Sequence, residues 1–103
     1  MKLHELKIKA EYMQAIALGR KTFELRKNDR DFNEGDLIKF NVVVNDHIQT
    51  DKLPFFDTSD GSLKEINLNE LYKITYVLKD VPQYGLDAEY CILGIKRLEL
   101  KEV

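Results

Sequence analysis

A chain of 103 residues, 44% hydrophobic and 33% charged, specifies a single domain over 1–103 with one modest core. It holds no apolar run long enough for a membrane-spanning helix, so no membrane partner is expected. The formal net charge of −2 excludes a binder that works by overall basicity, so any polyanion must meet a local patch.

The N-terminus, Met1-Lys2-Leu3-His4-Glu5, lacks the apolar core of a signal peptide, and a cytoplasmic location is expected. Residues 2 to 8 alternate, which predicts a strand with His4, Leu6 and Ile8 facing inward. His4 is then a hydrogen-bonded structural residue at one end of the fold. With only His4 and His47 in the chain, a His-based metal site has little support, and nothing calls for an organic cofactor. Residues 10 to 18 have no helix breaker and predict a helix, with Met13, Ile16 and Ala17 on one face and Tyr12 beside them. Gly19 stands where a left-handed C-cap belongs, so the helix stops sharply and delivers Arg20 and Lys21 to the next strand.

The segment Gly19-Arg20-Lys21-Thr22-Phe23-Glu24-Leu25-Arg26-Lys27-Asn28-Asp29-Arg30 is the most informative part of the chain. Five cations against two anions make it net +3 and leave −5 for the remainder. Thr22, Glu24 and Arg26 alternate with Phe23 and Leu25. The expectation is a strand anchored by its two apolar residues, holding a polar face rigidly for recognition or catalysis.

Asn33-Glu34-Gly35-Asp36 reads as a turn, and Ile38, Phe40, Val42 and Val44 mark a strand that Asn45-Asp46 ends. Residues 46 to 70 are loop-rich, with short strands expected around 47–50 and 65–68. They form either a lid over a cleft or an ornament. Residues 71 to 79 predict a strand with Tyr72, Ile74, Tyr76 and Leu78 on one face. A loop with Pro82 and Gly85 follows, then a last strand over 90–101. Its Cys91-Ile92-Leu93-Gly94-Ile95 run is apolar on both faces, which predicts a central strand covered on both sides. Gly94 hints at a bulge or tight bend. Cys91 reads as a buried, inert thiol. Five or six strands and one main helix in so short a chain predict an α+β, mainly β fold: a sheet curled into a small barrel, closed to remove its edges.

Gly19-Arg20-Lys21-Thr22-Phe23-Glu24-Leu25-Arg26 resembles the G-x-K-x-x-x-x-R signature of the ASCH superfamily, which has a PUA-like barrel fold. The string His4 to Ile8, Lys21 to Phe32, Gly35-Asp36 and Ile74 to Leu78 is similar to a branch of small bacterial and phage proteins of unassigned function. The resemblance implies a cleft between helix and sheet, lined by Lys21 and Arg26, and an association with RNA or modified nucleosides. One ASCH group removes the acetyl group of N4-acetylcytidine with a Lys, a Thr and a Glu. Lys21 falls on that lysine, but Glu24 stands where the group has its catalytic threonine, and Thr22 falls on a neighbouring one. Glu65 and Glu70 are the candidates for the third member, with nothing to place either.

Three readings follow. In the first, the chain binds RNA or a nucleotide-like ligand through Lys21, Glu24, Arg26, Lys27, Asn28 and Arg30. Arg26 and Lys21 take phosphate or a base edge and Glu24 accepts from an exocyclic amine. Tyr76 or Tyr90 could stack a base at the cleft mouth, although alternation favours the core for Tyr76. In the second, Lys21, Thr22 and Glu24 serve a small nucleoside-modifying hydrolase, with Glu24 at the nucleophile position weakening the parallel. In the third, the charges only pair with one another.

Overall fold

The computed structural model describes residues 1–99, and within them the chain is mainly β with one α-helix. The strands are β1 (Leu3–Lys9), β2 (Phe23–Lys27), β3 (Leu37–Val44), β4 (His47–Gln49), β5 (Lys52–Asp57), β6 (Ser62–Asn67), β7 (Tyr72–Leu78) and β8 (Tyr90–Arg97). The helix α1 covers Ala10–Ala17. The predicted extension of the last strand to Leu100 and Lys101 lies outside the described residues, and β8 itself ends at Arg97.

The main sheet runs in the order β1-β3-β7-β8-β2, with β4 added to β3, and curls into a half-barrel. β1 pairs with β3 in parallel, and the other pairs are antiparallel. Period-2 patterning puts Leu6 and Ile8 of β1, Ile38, Phe40 and Val42 of β3, and Cys91, Leu93 and Ile95 of β8 on the inner face. Met13 and Ile16 of α1 join this core, as do Leu53 and Ile66 of β5 and β6. Cys91 is fully buried and burial pushes its thiol up, in keeping with an inert group.

The two ends of the sheet, β1 and β2, do not pair through their backbones, so the expected closed barrel has an open seam. Two arginines bridge it instead. Arg26 donates from Nη1 to the Lys7 carbonyl at 2.8 Å, and Arg30 to the Glu5 carbonyl at 3.2 Å. These side chains satisfy carbonyls that a neighbouring strand would otherwise take.

The expected single face of β7 is broken. Tyr72 and Ile74 face inward, but the register slips between Ile74 and Tyr76, and Tyr76 is 58% exposed. One extra residue, Thr75, turns the strand over. The bulge needs Gly94 opposite it, since a Cβ there would sit 2.8 Å from Thr75 Oγ1. β8 is central, as predicted, but its outer side stays open beside exposed Tyr76, Phe23 and Leu25.

Residues 46 to 70 hold more structure than predicted. Asn45 and Asp46 adopt positive φ and make the β3–β4 hairpin turn. β5 and β6 form a separate two-stranded sheet that sends Leu53 and Ile66 into the core, joined by the following Leu68. Lys39 ties β3 to its ends by donating to the Thr50 and Leu68 carbonyls.

Candidate functional site

The site begins at the end of α1. Gly19, at φ +78°, turns the chain, and the Arg20 and Lys21 amides both donate to the Ala15 carbonyl at 2.9 and 3.0 Å. This C-cap fixes where Lys21 leaves the helix. The chain then enters β2, where Glu24 is opposite Leu93 and Arg26 opposite Cys91. Both partners are fully buried on the inner face, so Glu24 and Arg26 point inward too.

The expected anchoring of β2 is therefore inverted. Phe23 is 47% and Leu25 53% exposed, whereas Glu24 is only 5% exposed. The polar face turns in because Lys21, just before β2, and Arg26, on β2 itself, supply counter-charges. Lys21 Nζ reaches Glu24 Oε1 at 2.5 Å, and Arg26 Nη1 lies 3.4 Å from Glu24 Oε2. Two cations within reach offset the cost of burying the Glu24 side chain.

Around this group lies a cleft of about 530 Å³ between β2, β1 and the start of α1. Lys7, Lys9 and Tyr12 form one wall; Lys21, Phe23, Glu24, Leu25 and Arg26 form the other. The Lys21 ammonium lies 5.1 Å from the Tyr12 ring centre and 5.4 Å from that of Phe23. Four cations thus face one carboxylate, which leaves the cleft strongly positive. Its size is in the range of small-ligand sites.

The structure brings Lys21, Glu24 and Arg26 together as predicted and separates the remaining candidates. Thr22 precedes β2 and does not line the cleft with Glu24. It lines a different depression of about 200 Å³ with Ile16 and Tyr72. No side-chain hydrogen bond engages its hydroxyl among the described residues, so it has no base to activate it. Lys27 and Arg30 line a smaller depression of about 340 Å³ further along the seam, where Arg30 serves as the second bridge. Asn28 holds its turn by donating its backbone N–H to the Glu89 carbonyl at 2.7 Å. Glu65 faces Lys52 and Glu70 faces Arg97, and neither lines the cleft. No residue of 46–70 lines it either, so that segment is not its lid. Tyr76, favoured for the core, stands outside it for the reason given by the bulge.

Sequence reasoning missed Lys7, Lys9 and Tyr12 as cleft residues. Their signal was present as a row of outward lysines on β1 and an aromatic on the first turn of α1, but their meeting with β2 depends on the curl of the sheet. It also missed the partner of His4. His4 Nε2 lies 2.9 Å from Asp36 Oδ2, and the ring packs on Phe32. Asp36 also accepts from the Lys2 and Asn33 amides at 3.1 Å each. The His4 contact, then these amides against the opposing effect of burial, hold the Asp36 carboxyl down at about 2. This pair is structural, as expected of His4.

Among the described residues no group of three or more His, Cys, Asp or Glu side chains could hold a metal ion. No helix among them is long and apolar enough to cross a membrane. Residues 3–53 match the family model described as a domain of unknown function, DUF3850. The match takes in β1, α1 and β2, and so includes both walls of the cleft. No curated protein matches the chain.

Proposed function

We propose that this chain is a binding module for RNA or a nucleotide-like ligand, received in the seam cleft between β1 and β2. The observation that carries the reading is the surplus of positive charge at a concave site. Among the described residues, Lys7, Lys9, Lys21 and Arg26 line it with Glu24 as the one carboxylate. Lysine and arginine at such a site suit phosphate, and the Tyr12 and Phe23 rings at its walls suit a base. The Glu24 carboxylate has acceptor positions beyond those used by Lys21 and Arg26, and an exocyclic amine can take one. The likeness of residues 19–26 to the ASCH signature supports the same reading.

The test is fluorescence anisotropy of short single-stranded RNA at low and moderate salt. Lys7→Ala/Lys9→Ala is the informative variant, because both lysines are exposed and their removal leaves the Glu24 contacts intact. The variant should bind about tenfold more weakly and show a flatter salt dependence. No binding by the wild type at low salt overturns the reading.

One observation favours the alternative of a nucleoside-modifying hydrolase. The close Lys21–Glu24 contact, largely shielded from water, is the arrangement of a general acid–base pair. Turnover of N4-acetylcytidine, lost in Lys21→Met, would replace the binding module with this enzyme.

A further inference from the structure

The outer face of β7, β8 and β2 carries cross-strand rows with no packing partner among the described residues. Phe23 and Tyr76 flank Gly94 from opposite sides, Leu25 and Leu78 flank Ile92, and Lys27 stands beside Tyr90. Beyond Tyr76 the next row sets Lys73 directly opposite Lys96. Phe23, Leu25 and Tyr76 are about half exposed or more, whereas the solvent face of an antiparallel sheet is normally polar. Thr75 Oγ1 occupies the space that a side chain on Gly94 would fill. A hydroxyl therefore floors the gap between the Phe23 and Tyr76 rings.

We propose that this face is a platform for single-stranded RNA, continuing the path of a strand that enters the seam cleft. The inference rests on the proposed binding function and narrows its ligand from a free nucleotide to a chain of them. Three observations select a polyanion as the occupant. No acidic residue stands at an outward position of these three strands, while Lys27, Lys73 and Lys96 do. Lys73 and Lys96 make no ion pair among the described residues, although Glu34 and Glu99 line the same adjoining depression. Like charges placed directly opposite on a sheet repel, and a bound phosphate relieves that cost. Lastly, Phe23 and Leu25 belong to both surfaces, since they line the cleft and begin the outer rows. A second copy packed on this face would instead bring lysines toward lysines.

The rings offer stacking surfaces that any base can use, and the lysines follow the backbone. Binding should therefore be length-dependent and tolerant of sequence.

The experiment compares a labelled single-stranded oligouridine of about eight nucleotides with a trinucleotide, in the range of site sizes for such platforms. Wild type, Tyr76→Ala, Tyr76→Phe and Lys73→Ala/Lys96→Ala are titrated beside the cleft variant Lys7→Ala/Lys9→Ala. The octamer should bind wild type more tightly than the trinucleotide does. Tyr76→Ala and the lysine pair should each weaken the octamer by about tenfold and leave the trinucleotide unchanged, with Tyr76→Phe retaining affinity. Equal binding of both lengths, indifferent to the face variants but weakened by the cleft variant, overturns the platform and keeps the cleft. Loss of all binding in wild type overturns both. A concentration-dependent dimer in sedimentation, abolished by Tyr76→Ala and unmoved by the octamer, overturns the platform in favour of a second copy.

Discussion

Among the described residues two carboxylates, Asp36 and Glu24, are buried, and they are held in opposite ways. Asp36 is held by His4 and two backbone amides, all within hydrogen-bond distance and all part of the folded frame. Glu24 is held by the ends of two flexible cations, Lys21 and Arg26, at the wall of an open cleft. The first carboxylate has no role left for a ligand. The second sits where positive charge exceeds negative, beside open space. Burial of a charge therefore does not identify a site by itself; the identity of its partners and the space beside them do.

The sharpest way to break the comparison is Asp36→Ala. It strands the buried His4 ring and two part-buried amides and should cost about 3 kcal/mol. Thermal unfolding should show this as a drop in Tm of about 15 °C. The RNA binding proposed for the cleft, measured well below that midpoint, should stay unchanged. An Asp36→Ala variant as stable as wild type would refute the structural assignment.

The same residue predicts an acid limit. Its folded value, about 2, lies below the ordinary 3.8. The stabilisation is then fully present above about pH 4 and drains away as pH falls toward about 2, because the unfolded chain takes up the proton first. Tm followed across that window should fall more steeply in wild type than in Asp36→Asn. Parallel curves would assign the acid response to other carboxylates.

Much of this arrangement was legible beforehand. Alternation in β1 and β3 placed the inner residues, and Gly19 marked the end of α1, because local periodicity and a left-handed turn need no distant partner. The orientation of β2 was not legible. The rule that apolar residues face inward chose Phe23 and Leu25, but the cations that draw Glu24 inward come from the helix end and from the strand itself. β7 failed for a related reason. Its period is broken by Thr75, and the permission for that break lies some twenty residues away in Gly94. The seam, with its two arginine bridges, depends on the curvature of the whole sheet, and no single segment encodes that.

A smaller effect is expected at the other carboxylate. Glu24→Ala leaves the Lys21 ammonium and Arg26 without their counter-charge, at a cost of about 2 kcal/mol. The cleft opens to solvent, so an anion can replace the missing carboxylate. Added sulfate should restore Tm in Glu24→Ala and do little for Asp36→Ala, since binding to the folded state alone adds stability. Equal responses of the two variants to sulfate would erase the distinction between a cleft carboxylate and a frame carboxylate.

The smallest effect tests the seam beside Glu24. Arg30 is exposed and makes one 3.2 Å bond to the Glu5 carbonyl, so Arg30→Ala should cost only about 0.5 kcal/mol. Its consequence should be local. Glu5 lies in a strand paired on one side only, to β3, and without the bridge that strand should open more often than the sheet interior. Amide hydrogen exchange should therefore quicken along β1 while Leu93 and Ile95 of β8 keep their protection. If exchange rises equally in β1 and β8, the arginine supports the whole sheet and the seam is no separate element. If it rises in β1 alone, the wall of the cleft that carries Lys7 and Lys9 moves independently of the wall that carries Glu24. The cleft would then widen for a ligand from its β1 side while the Glu24 wall keeps its pairing with β8.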